Sequence, residues 1–412
     1  GLPDDMSYTP PQKVLERYAD ILVNFALRGG KGIKHGDVVL VWAKECTKPL
    51  FVEVCKAIWK AGGHVIDHYT TNESERRGNM VHFYHLAQDH HLDFFPEKYY
   101  RGHVDQIDHQ HAILGEEDPH FLKAAEPHKV MRYGKTMRKF MEWRSEKENA
   151  GKFSWTLALY GTKAMAKEAG MSEREYWKQI IRACYLDSTD PISEWKRVSK
   201  QVQVFITKLN AISRKTDRFH MKGPDCDLWI RLGEKRKWLG GSGRNIPSFE
   251  IFTSPDWRGV DGWIRFNQPL YRYGNLITGI ELEFKEGRVV RSAAKKNYKT
   301  LKAMIDTEGA DKIGEWSLTD RRHSRITRFM AETLYDENMG GPQGNTHLAL
   351  GNAYEDTYSG DVSKLSKEES ARLGFNRSSV HTDIISTAPR TVTAHLKNGK
   401  TKVIYRDGMF TL

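Results

Sequence analysis

The C-terminal half of the chain sets acids and histidines beside Gly, Pro and Asn rather than along solvated helix faces. Glu250 lies in Asn245-Ile246-Pro247-Ser248-Phe249-Glu250-Ile251-Phe252-Thr253-Ser254-Pro255-Asp256. A carboxylate flanked by Phe249, Ile251 and Phe252 is expected to be partly buried and to need a partner. Gly314-Glu315-Trp316 repeats the theme, and Asp336-Glu337-Asn338 is a third acidic point. His347 leads the apolar run Leu348-Ala349-Leu350-Gly351, and Tyr354 follows it. His381-Thr382-Asp383 spaces a His and an Asp two residues apart, so on a strand both face one side and both can ligate one centre. Singly, each feature has an ordinary explanation: a satisfied ion pair, a core histidine, a helix cap, a packed ring. Together they supply three Glu, two His and one Asp, the oxygen and nitrogen set that suits two borderline divalent ions.

Other motifs fail on spacing. Tyr133-Gly134-Lys135-Thr136 resembles the end of a phosphate-binding loop, but Lys129 stands where its first glycine is required. Gly241-Ser242-Gly243 begins a dinucleotide fingerprint whose third glycine is replaced by Ile246. Neither H-E-x-x-H nor G-x-S-x-G occurs. The histidines between His82 and His120, His109 and His111 among them, show no closed ligand spacing and are expected on a solvated surface.

The elements that must carry these residues follow from periodicity. Residues 13–28 space apolar residues helically and stop at Gly29-Gly30. Val38–Ala43 reads as a buried strand, Pro49–Lys60 as a helix ended by Gly62-Gly63, and Val65-Ile66 as the next strand. A second cycle runs through a segment at His111–Gly115, a helix near Pro119–Trp143 and a strand at Phe153–Tyr160. This βαβ rhythm predicts a parallel sheet. Pro191 opens a helix through Leu209, after which alternation dominates. Gly279–Phe284 and Glu286–Val290 read as a hairpin, and Thr391–Leu396 pairs with Lys402–Tyr405 around Asn398-Gly399. The fold class is therefore α/β plus α+β. An N-terminal parallel-sheet α/β domain over residues 1–190 precedes a mixed, mainly antiparallel β domain over 191–412 that carries the metal site.

Composition bounds the partners. A chain of 412 residues suggests two domains. Its 39% hydrophobic and 11% aromatic content excludes a disordered polymer. The net charge of +11 is spread along the sequence in short clusters such as Lys235-Arg236-Lys237, so no nucleic-acid partner is expected. No apolar stretch reaches the roughly 18 to 20 residues of a spanning helix, so no membrane partner is expected either. Four cysteines without a C-x-x-C pair fit a reduced, cytoplasmic setting.

The ordered series resembles the aminopeptidase T / aminopeptidase S family of dinuclear metallo-aminopeptidases, the thermophilic-type metalloproteases. It runs from Asn245-Ile246-Pro247, Glu250, Thr253 and Pro255-Asp256 through Gly314-Glu315 to Leu334 and Asp336-Glu337-Asn338. It continues with His347, Ala349-Leu350-Gly351, Tyr354, Gly374, Asn376, Ser378 and His381-Thr382-Asp383. Asp190-Pro191 and Trp195, and more generally Ala61-Gly62-Gly63-His64-Val65, extend the likeness over nearly the whole chain. The resemblance implies metal ligands at Glu250, Glu315, Glu337, His347, His381 and Asp383. It implies two divalent ions per chain (Zn, Co, Mn or Mg), with Glu315 as general base and Tyr354 as the catalytic tyrosine. It further implies peptide substrates with a free N-terminus and a homodimer. Three departures stand out. A Gly-rich insert, Met339–Thr346, separates Glu337 from His347; Ser317 and Asp320 replace more apolar residues; and Cys226 replaces a threonine. The alternative reading is a ring-cleaving dioxygenase of related fold acting on a hydroxylated pyridine. There His347, His381 and Asp383 would form the facial triad of a single iron.

Overall fold

The computed structural model describes residues 8–241, 243–272 and 275–412. Its chain forms two compact units. One comprises Gly1–Glu194 with Ser242–Pro247, the other Trp195–Gly241 with Ser248–Leu412.

The first unit is built on parallel strands β1 (Val38–Lys44), β2 (His64–Thr70), β3 (His109–Leu114) and β4 (Ser154–Leu159). Their order is β2-β1-β3-β4, and a short strand over Asn245–Ile246 adds to β4. The helix Gln12–Asn24 buries Leu15, Tyr18, Ala19, Ile21, Leu22 and Val23. The Tyr18 hydroxyl fixes it to β4 by donating to the Leu159 carbonyl (2.8 Å) and accepting from the Leu159 amide (3.1 Å). The helix Lys48–Lys60 carries its Pro49 in the first turn, where a missing N–H costs nothing.

Two expectations need correction here. The helix foreseen near 119–143 runs over Pro127–Asn149, because Phe121–Ala124 closes into a 3-10 turn and Pro127 opens the helix proper. The histidines of β3 are not solvated. His109 bridges Asp37 (2.7 Å) and Ser154 (2.8 Å), and the His111 ring donates to the Leu22 carbonyl (2.7 Å). Burial lowers the His111 pKa to about 4, so the ring is a neutral core group.

The second unit opens with the C-terminal part of the helix Pro191–Ser213 and is otherwise mostly antiparallel. Its larger sheet contains β5 (Thr216–Gly223), β6 (Cys226–Ile230), β9 (Val260–Arg265), β10 (Glu281–Lys285), β11 (Arg288–Ala293), β15 (Thr391–Leu396), β16 (Thr401–Arg406) and β17 (Met409–Phe410). They are ordered β11-β10-β9-β6-β5-β15-β16-β17. The smaller sheet contains β7 (Leu239–Gly240), β8 (Glu250–Thr253), β12 (Ile313–Thr319), β13 (Asn345–Gly351) and β14 (His381–Ser386). Its order is β14-β13-β12-β8-β7. Trp316 of β12 is fully buried, 5.5 Å from the Phe219 ring of β5 and 5.1 Å from Trp238. One face of the smaller sheet is thus locked into an aromatic core, which leaves the other to carry chemistry. Trp316→Ala is expected to destabilise this unit by about 3–5 kcal/mol. Chemical denaturation checks this, and a loss below 1 kcal/mol would show that the tryptophan is not a core anchor.

Candidate metal centre

Strand β12 alternates strictly: Glu315, Ser317 and Thr319 take one face, and Trp316 and Leu318 the core face. Directly opposed residues of antiparallel strands share a face. Thr319 stands opposite Glu250, Ser317 opposite both Phe252 and His347, and Glu315 opposite Ala349. Across the next pair, Ala349 faces Asp383 and Gly351 faces His381. One face of four strands therefore presents Glu250, Glu315, His347, His381 and Asp383. The small Ala349 and Gly351 leave the space into which their longer neighbours reach. Gly351 cannot be larger: its φ is +105°, and a Cβ would meet the Val380 carbonyl at 1.9 Å.

The five side chains converge. His347 Nε2 lies 3.2 Å from Glu250 Oε2, 3.8 Å from Glu315 Oε1 and 3.7 Å from Asp383 Oδ1. His381 Nε2 lies 3.2 Å from Glu315 Oε2 and 3.6 Å from Asp383 Oδ1. Two groups of potential ligand atoms result, Glu250–Glu315–His347 and Glu315–His381–Asp383, each with its atoms within 4.8 Å of one another. Glu315 belongs to both. Glu337 follows the helical turn Thr333–Asp336 and hydrogen-bonds with Asp383. Tyr354 is two-fifths exposed, its ring 4.7 Å from that of His381 and 5.7 Å from that of Phe252.

The electrostatics identify what the pocket lacks. Burial pushes the Glu250 carboxyl up, and the charge of Glu315 adds to the shift. Glu337 is pushed well up by burial and by Glu250, Asp383 and Glu315. Burial alone would lower both histidines. Glu250 and Glu315 outweigh it at His347, which stands well above its usual range. Asp383 and Glu315 push His381 up to about 11. Asp383 is held low, since His381 and His347 overcome its burial. The pocket thus demands positive charge. His347 Nε2, His381 Nε2 and Asp383 Oδ1 are buried without a hydrogen-bond partner, as expected of atoms that face a cation. His381 Nδ1 donates to the Asn352 carbonyl (2.8 Å), which selects the tautomer whose Nε2 lone pair faces the centre. The donor set fits borderline divalent metals.

Supporting contacts hold this arrangement. Asn338 Oδ1 accepts from the Phe249 amide (2.7 Å) and the Glu250 amide (3.3 Å). Asn345 Nδ2 donates to the Glu337 carbonyl (3.0 Å), so the Gly-rich insert returns the chain directly beneath Glu337. Ser254 Oγ donates to the Gly314 carbonyl (2.6 Å) and accepts from the Tyr354 amide (2.8 Å), which ties the tyrosine to the segment before Glu315. Asn376 donates to the Gly351 carbonyl (2.6 Å). Sequence reasoning assigned no role to Ser254, Asn338, Asn345 or Asn352. Their only signal was proximity in sequence to a candidate ligand or turn.

The family model described as "Thermophilic metalloprotease (M29)" matches residues 11–410. The chain belongs to this family. It is 29% identical to Aminopeptidase 2 of Geobacillus stearothermophilus, across 96% of this chain and 97% of that protein. The solved structure of wild-type AmpT from Thermus thermophilus superposes with a TM-score of 0.81 at 25% identity, over 97% of this chain and 100% of that one. A 2,5-dihydroxypyridine dioxygenase from Pseudomonas putida gives a TM-score of 0.51 at 10% identity, over 97% and 96% of the two chains. That second likeness concerns the fold.

Family membership makes divalent metal use part of this protein's chemistry. Chelator-stripped protein given Zn²⁺ or Co²⁺ at roughly 100 times the dissociation constant is expected to gain about 2.7 kcal/mol. A rise in Tm measures it, and His347→Ala should remove most of the rise. A stripped wild type indifferent to every divalent ion would contradict a metal centre at this site.

Proposed function

We propose that this chain is a metal-dependent aminopeptidase that removes N-terminal residues from peptides at a dinuclear centre. The proposed ligands are Glu250, Glu315, Glu337, His347, His381 and Asp383. The observation that carries the count of two is Glu315, whose carboxylate oxygens serve two overlapping ligand groups. Zn, Co, Mn and Mg all suit this donor set. Bound divalent ions supply Lewis acidity toward water and toward the peptide carbonyl.

The remaining chemistry falls to side chains. Glu315, set between both groups, accepts the proton of the attacking water. Burial and the charges of Glu315, Asp383, Glu337 and Glu250 hold the Tyr354 phenol well above its ordinary range. It therefore keeps its proton at neutral and mildly alkaline pH and donates to the oxyanion that develops on the carbonyl. Four carboxylates favour the free α-amino end of a substrate, which confines cleavage to the N-terminus. Helix geometry gives no candidate membrane span among the described residues. The proposal includes an N-terminal α/β domain over 1–190, a catalytic domain over 191–412, a homodimer and a cytoplasmic setting. Four cysteines outside any disulfide support the last. A single-iron dioxygenase would use His347, His381 and Asp383 but leave Glu250, Glu315 and Glu337 without a task.

The test is metal content together with hydrolysis of a panel of amino-acid p-nitroanilides, before and after chelation. About two ions per chain and chelator-sensitive release from free but not N-acetylated substrates are expected. One iron per chain without amide hydrolysis would overturn the reading. In the same assay Tyr354→Phe is expected to retain both ions and lose about 10²- to 10³-fold in kcat; near-normal turnover would remove the tyrosine from the mechanism.

A further inference from the structure

Ser317 is a buried polar side chain beside the candidate ligands that the function above does not use. It is fully buried on the ligand face of β12, two residues from Glu315 and in register with His347 on one side and Phe252 on the other. Its hydroxyl donates to Glu250 Oε2 at 2.8 Å, the same oxygen that lies 3.2 Å from His347 Nε2. A hydroxyl taken into a core costs stability unless it is bonded, and here the partner is a carboxylate in the candidate centre. Asn338 fixes the backbone of Glu250 but leaves its side-chain torsions free. The terminal torsion of a glutamate is broad and roughly two-fold, so an unrestrained carboxylate would exchange its oxygens. Ser317 removes that freedom from the carboxylate end.

We propose that Ser317 is a positioning residue that orients the Glu250 carboxylate and thereby sets the affinity of the Glu250–Glu315–His347 group for a divalent cation. The proposal rests on the reading that these residues hold metal. The hydrogen bond fixes Oε2 on the β12 side of the pocket. It also withdraws electron density from the carboxylate, so orientation and basicity of one ligand are set together. Hydrogen-bonding partners of metal ligands typically change affinity by about 10- to 100-fold.

The experiment titrates chelator-stripped full-length protein with Co²⁺, by calorimetry and by the visible ligand-field spectrum of the bound ion. Wild type is expected to bind. Ser317→Ala is expected to weaken one class of site by about 10- to 100-fold and to alter its spectrum, while circular dichroism of the stripped protein stays unchanged. Ser317→Thr keeps a hydroxyl and should restore the wild-type spectrum. Should the alanine variant not fold, Ser317→Val keeps the shape of the threonine variant without its hydroxyl and is read in the same way. Wild-type affinity and spectrum in the alanine or valine variant would overturn the proposal. So would equal loss in the alanine and threonine variants, which would make the effect one of packing. A wild type that binds no Co²⁺, Zn²⁺ or Mn²⁺ would instead sink the metal-centre reading itself, so the two failures are told apart.

Discussion

Four carboxylates in one buried pocket repel one another, and that repulsion is the constraint on which the site depends. Charges of one sign withdrawn from water persist only where opposite charge stands among them. The carboxylates push both histidines above their usual range for that reason. A proton on Nε2 is a poor substitute for a cation, however. It points at one neighbour, whereas His347 Nε2 has three carboxylates within 3.8 Å and hydrogen-bonds to none of them. A divalent ion answers several ligands at once and carries more charge. The repulsion among the carboxylates and the fit of a cation among them are two aspects of one arrangement.

That arrangement is stable because the smaller sheet has two chemically opposite faces. Every residue of β12 and β13 is buried, so neither face is relieved by solvent. The face with Trp316, Leu318, Leu348 and Leu350 is apolar and packs with residues such as Phe219 and Trp238. A one-residue slip of register would move Glu315 and His347 into that core and Trp316 into the site. The cost of burying those charges in an apolar core is what fixes the register. Apolar packing and ligand geometry therefore enforce each other, and a site assembled on strands is held more tightly than one assembled on loops.

The sequence reveals these features unevenly. The parallel sheet of the first unit was legible because β1 is a continuous apolar run and the glycines after the helices fall at their ends. At the site the spacing of His381 and Asp383 pointed to a strand, while the strands that carry Glu250, Glu315 and His347 were not foreseen. Less visible were the helices Asn79–Leu86 and Glu97–Gln106, whose many exposed positions blur any apolar stripe. His109 and His111 misled because a solvated histidine and one satisfied by Asp37, Ser154 or a carbonyl look alike in one dimension. The ligand candidates were readable as chemical types. The residues that aim them were not, since Ser254 and Asn338 act through hydrogen bonds to backbone distant in sequence, Asn345 acts across a Gly-rich turn, and short polar residues near turns read as turn formers.

These aiming residues also explain why the tyrosine can be exposed while the ligands are not. A donor to a developing oxyanion has to meet substrate, and Tyr354 is two-fifths exposed with its ring beside that of His381. Exposure alone would leave it mobile. Ser254 counters this by gripping the Tyr354 amide with the same oxygen that donates to the Gly314 carbonyl, next to Glu315. His381 is fixed through the Asn352 carbonyl, only two residues before the tyrosine. The segment 351–354 thus orients one candidate ligand and one candidate donor through a single short stretch of backbone. Gly351 permits its sharp departure from β13, where a side chain would strike the Val380 carbonyl. A shift of that stretch would move the His381 ring and the phenol together, so their relative geometry survives small motions that a pair of independent loops would not tolerate.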